Sequence, residues 1–152
     1  MGNFSEDLKI GEYVQDFLIE ELAGEFGKLK ASEGEFSDYD LISEDGYTFE
    51  VKFDRSSRST KNTAIEFRYK GRESGICSTK AIEWIQVLYN EDKWVYCRIP
   101  VENLRNFLRN NWEFFKTIMG GDDKQSALIL VNKDIFLNEF EFKEIKEKAS
   151  QQ

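Results

Sequence analysis

The chain has 152 residues, a formal net charge of −8 from 21 Lys and Arg against 29 Asp and Glu, and no histidine. That length suits one domain with a real hydrophobic core. The missing histidine excludes Ser-His-Asp and Cys-His nucleophiles, histidine metal sites and histidine general bases, which leaves carboxylates, lysine, tyrosine and metal ions for any catalysis.

Taken in chain order, residues 7–26 read as an amphipathic helix. Ile10, Val14, Phe17, Leu18 and Leu22 recur at three- and four-residue spacing, and Gly24 and Gly27 loosen its end. Glu12, Asp16 and Glu20 fall on neighbouring turns, where a solvated acidic face is the ordinary reading. Residues 28–31 suit a short connection or strand. Residues 37–52 read as a β-hairpin closed by the Asp45-Gly46 step.

Alternation across a strand puts Asp38 and Asp40 on one face, and Glu50 with Lys52 on one face opposite Phe49, Val51 and Phe53. Carboxylates at close range need a cation, and a hard divalent ion such as Mg²⁺ takes oxygen ligands. A lysine beside them stabilises developing negative charge or helps to activate a metal-bound water. The plainer reading is a solvated hairpin. Against it, Glu50 and Lys52 stand in the middle of a strand with a strongly apolar opposite face.

Residues 54–63 form a polar stretch with Arg55, Arg58 and Lys61, suited equally to a mobile surface loop and to phosphate contacts. Residues 63–69 alternate as a third strand, with Glu66 and Arg68 read as a structural pair. A glycine-bearing loop follows, and Ser78-Thr79 is placed to cap a short helix over 80–83. Residues 84–89 and 93–98 read as a second hairpin. Over 101–119 the stripe Val101, Leu104, Phe107, Leu108, Trp112, Phe115 and Met119 predicts one amphipathic helix, packed as core or as a dimer surface. Asp122 and Asp123 suit a solvated turn, 127–131 a buried strand, and 138–149 a charged helix anchored by Phe140, Phe142 and Ile145.

Charge is unevenly spread. Residues 1–52 hold four Lys or Arg against fourteen Asp or Glu, and residues 53–116 hold twelve against eight. A nucleic-acid track needs only a local basic stripe, so the acidic total does not exclude one. No run approaches the roughly 18 apolar residues of a membrane span, and the first residues lack the pattern of a secretory signal, so no membrane partner is expected. Cys77 and Cys97 are expected as reduced thiols.

The spacing Asp40-(nine residues)-Glu50-Val51-Lys52 resembles the core signature of the PD-(D/E)XK nuclease superfamily. Ser37 or Tyr39 stands where that family's proline precedes the aspartate. This keeps Asp38 as an alternative to Asp40, which is preferred because Leu41-Ile42 follow it into a core. The set Ile65-Glu66-Phe67, Ser74-Gly75-Ile76, Ser78-Thr79-Lys80-Ala81 and Trp84 resembles the segment after E-x-K in small phage-type and Holliday-junction-resolvase-like members. Together the resemblance covers about residues 10–100.

The resemblance implies a single α/β domain over residues 1–152, with a mixed central sheet flanked by helices, of the restriction-endonuclease-like kind. It implies a Mg²⁺-dependent endonuclease, Mn²⁺ substituting, that hydrolyses DNA phosphodiesters, branched or junction DNA included. Asp40, Glu50 and the Val51 carbonyl would hold the metal and Lys52 would orient or deprotonate water. Glu12 would join from the first helix, with Glu20 as second choice. Ser78 and Lys80 would join Arg55, Arg58 and Lys61 on DNA. A homodimer and a cytoplasmic setting, in a bacterial cell or phage-infected host, are also implied. The alternatives are a non-catalytic acidic protein-binding or DNA-mimicking module, for which Lys52 has no use, and a nuclease-fold DNA binder that does not cut.

Overall fold

The computed structural model describes residues 4–32, 40–121 and 123–146. Helix α1 (Phe4–Phe26) buries Val14, Leu18 and Leu22, the stripe that the spacing marks as apolar. Gly27, at φ +74°, ends it in the left-handed conformation that glycine adopts without strain. Strand β1 (Leu29–Ala31) pairs antiparallel with β2 (Leu41–Ser43), which pairs antiparallel with β3 (Thr48–Phe53). The Asp45-Gly46 turn closes this hairpin as expected, with Gly46 at φ +87°.

The chain then leaves the sheet. A 3-10 turn at Arg55–Arg58 leads to β4 (Asn62–Tyr69) and β5 (Arg72–Glu73), and a second at Gly75–Cys77 leads back. Strand β6 (Glu83–Asn90) returns parallel to β3, and β7 (Lys93–Pro100) pairs antiparallel with β6. Helix α2 (Val101–Asn110), β8 (Lys116–Gly120), β9 (Ser126–Asn132), α3 (Lys133–Glu139) and β10 (Lys143–Glu144) complete the order.

The result is an α/β fold with two sheets. The mixed six-stranded sheet runs β1-β2-β3-β6-β7-β10, and an antiparallel four-stranded sheet runs β5-β4-β9-β8. Alternation along β3 and β6 sorts the two cores. Phe49, Ile85 and Val87 face α1, whereas Trp84 and Leu88 face the second sheet, α2 and α3. The expected mixed sheet is therefore flanked by α1 on one face and by α2 and α3 on the other, where the second sheet, not expected from the sequence, also packs.

Three boundaries also differ from the sequence reading. The helix from 101 stops at Asn110, where the Asn111 side chain bonds the Phe107 carbonyl at 2.8 Å, and the β-branched pair Thr117-Ile118 falls in strand β8. Met119 is therefore exposed, not part of a helical stripe. No helix forms over 80–83, since Glu83 already pairs with Phe49 in the parallel ladder. Near the C-terminus, Asn132 caps α3 six residues before the predicted start at 138, and Lys143–Glu144 pairs with β7 inside the stretch 138–149 expected as helix, of which 147–149 lie outside the described residues. Among the described residues, no helix is long and apolar enough to cross a membrane.

Candidate active site

The site begins with a mismatch in strand length. β2 pairs with β3 only over Leu41↔Phe49 and Ile42↔Thr48, so the rest of that edge of β3 has no strand beside it. Asp40 closes the gap. Its N–H donates to the Phe49 carbonyl at 2.8 Å, and its Oδ2 accepts the Val51 N–H at 2.7 Å. The N–H and C=O of one strand residue point the same way, so the Val51 carbonyl opens onto this edge too. The notch, about 580 Å³, is bounded by Gly11 and Gln15 of α1, Ser32, Asp40, Glu50 and Arg55. Asp38 lies outside the described residues.

Glu50 enters the notch from the other face of β3. It is half-buried, in register with Trp84, and its Oε1 accepts the Thr79 hydroxyl at 2.9 Å. Burial pushes its carboxyl up to about 8; the charge of Asp40 and a hydrogen bond to Asp40 add to this, and Glu66 adds a smaller repulsion. The Thr79 bond acts in the opposite sense. These causes favour the protonated form of Glu50 beside Asp40, and a cation bound between the two carboxylates would relieve the same repulsion.

Those donors fit a hard divalent ion. Among the described residues, no three His, Cys, Asp or Glu side chains converge on one point. Two carboxylates and a backbone carbonyl would leave about half of an octahedral ion's positions to water and substrate oxygens, in keeping with the way Mg²⁺ retains several waters.

Lys52 shares the Glu50 face, half-buried and opposite the fully buried Gln86. Arg55 lies at the mouth of the notch, its guanidinium 4.6 Å from the Phe53 ring centroid. A Cβ on Gly11 would come within 3.1 Å of that guanidinium, so glycine allows the close approach. Glu12 is exposed and lines an adjoining hollow with Gly11, Gln15, Asp16 and Arg55, whereas Gln15 is the polar α1 side chain in the notch itself.

Residues 54–63 are more ordered than a mobile loop. Asp54 is buried and accepts bonds from the Ser56 hydroxyl (2.7 Å), the Thr63 hydroxyl (2.7 Å) and the Ala64 N–H (2.8 Å). Arg58 and Lys61 are exposed and do not line the notch; Arg58 stacks over Tyr89. Ser78 and Lys80 are exposed on either side of the inward-facing Thr79.

The chain matches no family model and no curated protein.

The sequence names Thr79 and Glu66 within the quoted motif set but not their approach to Glu50, and it does not single out Gln15. Gly75, from the same set, is the signal for that approach. It adopts φ +51°, and a Cβ there would sit 2.1 Å from the Glu66 carbonyl oxygen. Glycine therefore docks the loop carrying Thr79 directly onto β4.

Proposed function

We propose that the chain is a Mg²⁺-dependent phosphodiesterase acting on DNA, built on a restriction-endonuclease-like variant of the α/β fold. The observation that carries this reading is that Asp40, which accepts the Val51 N–H at 2.7 Å, and the half-buried Glu50 line one notch at the edge of β3. Asp40, Glu50 and the Val51 carbonyl would hold the ion, which when bound supplies charge to a phosphate in the transition state and acidifies a coordinated water. Lys52 would hold a water or a phosphate oxygen beside that position. Arg55 at the notch mouth, with Arg58 and Lys61 after it in the chain and Ser78 and Lys80 on either side of Thr79, would contact the DNA backbone. Glu12 is assigned a supporting part at the helix, beside Arg55. Mn²⁺ is expected to replace Mg²⁺, and a homodimer would meet both strands of a duplex or junction.

The test is cleavage of plasmid, branched and single-stranded DNA with Mg²⁺, with Mn²⁺ and with EDTA. Metal-dependent cutting that Asp40→Asn and Glu50→Gln abolish is the expected result. Cutting that survives EDTA, or that both variants retain, sinks the assignment. A chain that binds DNA without cutting any of the three is the non-cleaving binder. One that binds no DNA is better read as the acidic module.

A further inference from the structure

A second cleft, about 620 Å³, opens between α2 and the second sheet. Its floor is apolar, with Phe67, Ile76, Leu108 and Ile129. Residues 105, 108, 109 and 112 fall on one stripe running from α2 into the 3-10 turn Trp112–Phe114, so Trp112 stands over the cleft beside two arginines. The indole meets the Phe67 ring edge-on, with centroids 5.7 Å apart, yet Trp112 remains 47% exposed. Arg68 on β4 and Arg109 on α2 supply cationic rim, and Glu73 is the carboxylate among the lining residues.

Arg105 is committed to structure. It donates to the Ile76 carbonyl (2.9 Å), the Thr79 carbonyl (3.0 Å) and Glu102 (2.9 Å). These bonds tie the cleft to the proposed catalytic pair through one loop: Ile76 and Cys77 line the cleft, and Thr79 bonds Glu50.

We propose that this cleft receives an unpaired nucleotide of a DNA strand, its base against Trp112 and its phosphates against Arg68 and Arg109. Charge and shape both favour that occupant. In a chain of net charge −8, a rim where Arg68 and Arg109 face one lining carboxylate, with Arg105 already paired to Glu102, suits an anion. A half-exposed indole over an apolar floor suits a flat ring, and a duplex hides the faces of its bases in the stack and offers only edges and phosphates. A strand with splayed bases offers a ring and a phosphate together. The substrate class is therefore DNA with single-stranded character, such as a tail, flap or branch point. This deepens the phosphodiesterase reading and rests on it for why a strand lies near Glu50.

The test uses a fluorescein-labelled oligothymidylate and a duplex of equal length, with anisotropy read in Ca²⁺ so that binding is separated from turnover. Trp112→Ala is expected to weaken oligothymidylate binding roughly tenfold or more, the scale of a lost base–aromatic stack, and to leave duplex binding within about twofold. Trp112→Phe keeps a ring and is expected to retain most of the affinity, which guards against a folding defect. Arg68→Ala with Arg109→Ala is expected to flatten the salt dependence for the single strand by a slope of about 1.4. No oligothymidylate binding by the unaltered chain, unchanged binding by Trp112→Ala, or equal losses on single strand and duplex each overturn the proposal. Metal-dependent cleavage is scored separately. An unaltered chain that binds oligothymidylate through Trp112 but cuts nothing overturns the hydrolase reading and leaves the cleft standing. Cutting combined with unchanged Trp112→Ala binding does the reverse.

Discussion

Thr79 donates its hydroxyl to Oε1 of Glu50 at 2.9 Å, tying the loop that follows the Gly75–Cys77 turn to the middle of β3. The bond favours the carboxylate form of a group that burial and Asp40 drive toward the acid. It therefore opposes the proton that a divalent ion must displace.

Thr79→Val keeps the volume and removes the donor. Glu50 then holds its proton more tightly, and Mn²⁺ affinity at neutral pH is expected to fall roughly threefold to tenfold, the lower range for a hydrogen bond to a partly exposed charge. The deficit shrinks as pH rises and the proton is lost anyway. Thr79→Ser restores affinity. Mn²⁺ titration followed by electron paramagnetic resonance at several pH values reads all three. A valine variant that matches the unaltered chain at neutral pH removes Thr79 from this role.

Glu50 also sets a pH dependence of stability in the absence of metal. Its folded value of about 8 lies above its ordinary 4.5, so across that window the folded chain holds a proton that the unfolded chain has released. Its stabilising contribution is full below the ordinary value and is lost as pH rises through about 8. Discounted for partial exposure, the loss is about 1–3 kcal/mol. Urea unfolding in EDTA from about pH 5 to about pH 8 is expected to show it, and Glu50→Gln to flatten the profile. Calorimetry of Mg²⁺ binding near neutral pH, in buffers of different ionisation heat, is expected to report close to one proton released. A pH-independent difference between the two chains sinks the assignment.

The elements that the sequence announces are those with strong local chemistry. Asp45-Gly46 marks the β2–β3 hairpin, and the three- and four-residue spacing of Val14, Leu18 and Leu22 marks α1. The stripe over 101–119 misleads because strand β8 continues an apolar pattern that period alone cannot tell from helix, and only the two asparagines at 110 and 111 hint at the break. In the candidate site, Asp40, Glu50, Val51 and Lys52 can be named from the sequence because one hairpin carries them. The place of Gln15, Thr79 and Glu66 beside them cannot. Each arrives from another element, and its place depends on how a helix, a loop and a second sheet settle against β3.

Gly75 tests that settling directly. With φ +51° and a Cβ that would meet the Glu66 carbonyl oxygen at 2.1 Å, alanine there must displace the turn or the bulged strand between Glu66 and Arg68. Gly75→Ala is expected to lower stability by about 2–4 kcal/mol, well beyond the usual cost of a left-handed alanine, because backbone cannot swing aside. Losing the docked loop also loses the Thr79 bond, so Mn²⁺ affinity falls along with the unfolding midpoint. Gly71, also at positive φ but with open space around its Cβ, is the control and is expected to cost about 1 kcal/mol. Equal effects at the two glycines would show that the close approach to Glu66 does not matter.

Lys52 separates a catalyst from an acidic binding module. Two residues along β3 from Glu50, its Cα stands about 7 Å further on the same face. The strand is held rigidly there: Lys52 is in register with Gln86, whose amide donates to the Thr63 hydroxyl at 2.7 Å and accepts from the Trp84 indole at 2.8 Å. In the proposed reading an ammonium from this position would act mainly as charge develops in the transition state, and would contribute little to holding the ground state. Lys52→Ala is therefore expected to slow single-turnover cleavage by roughly two to four orders of magnitude. DNA affinity in Ca²⁺ should change by less than about threefold, since one phosphate contact among many carries little of the binding. Lys52→Met keeps the half-buried stem and removes only the charge, so an equal loss there assigns the effect to the ammonium and not to packing. Rapid-quench measurement on a branched substrate supplies the rates, and urea midpoints confirm that both variants fold. If either variant cuts at the unaltered rate, Lys52 is a surface charge and the catalytic assignment of this face of β3 fails.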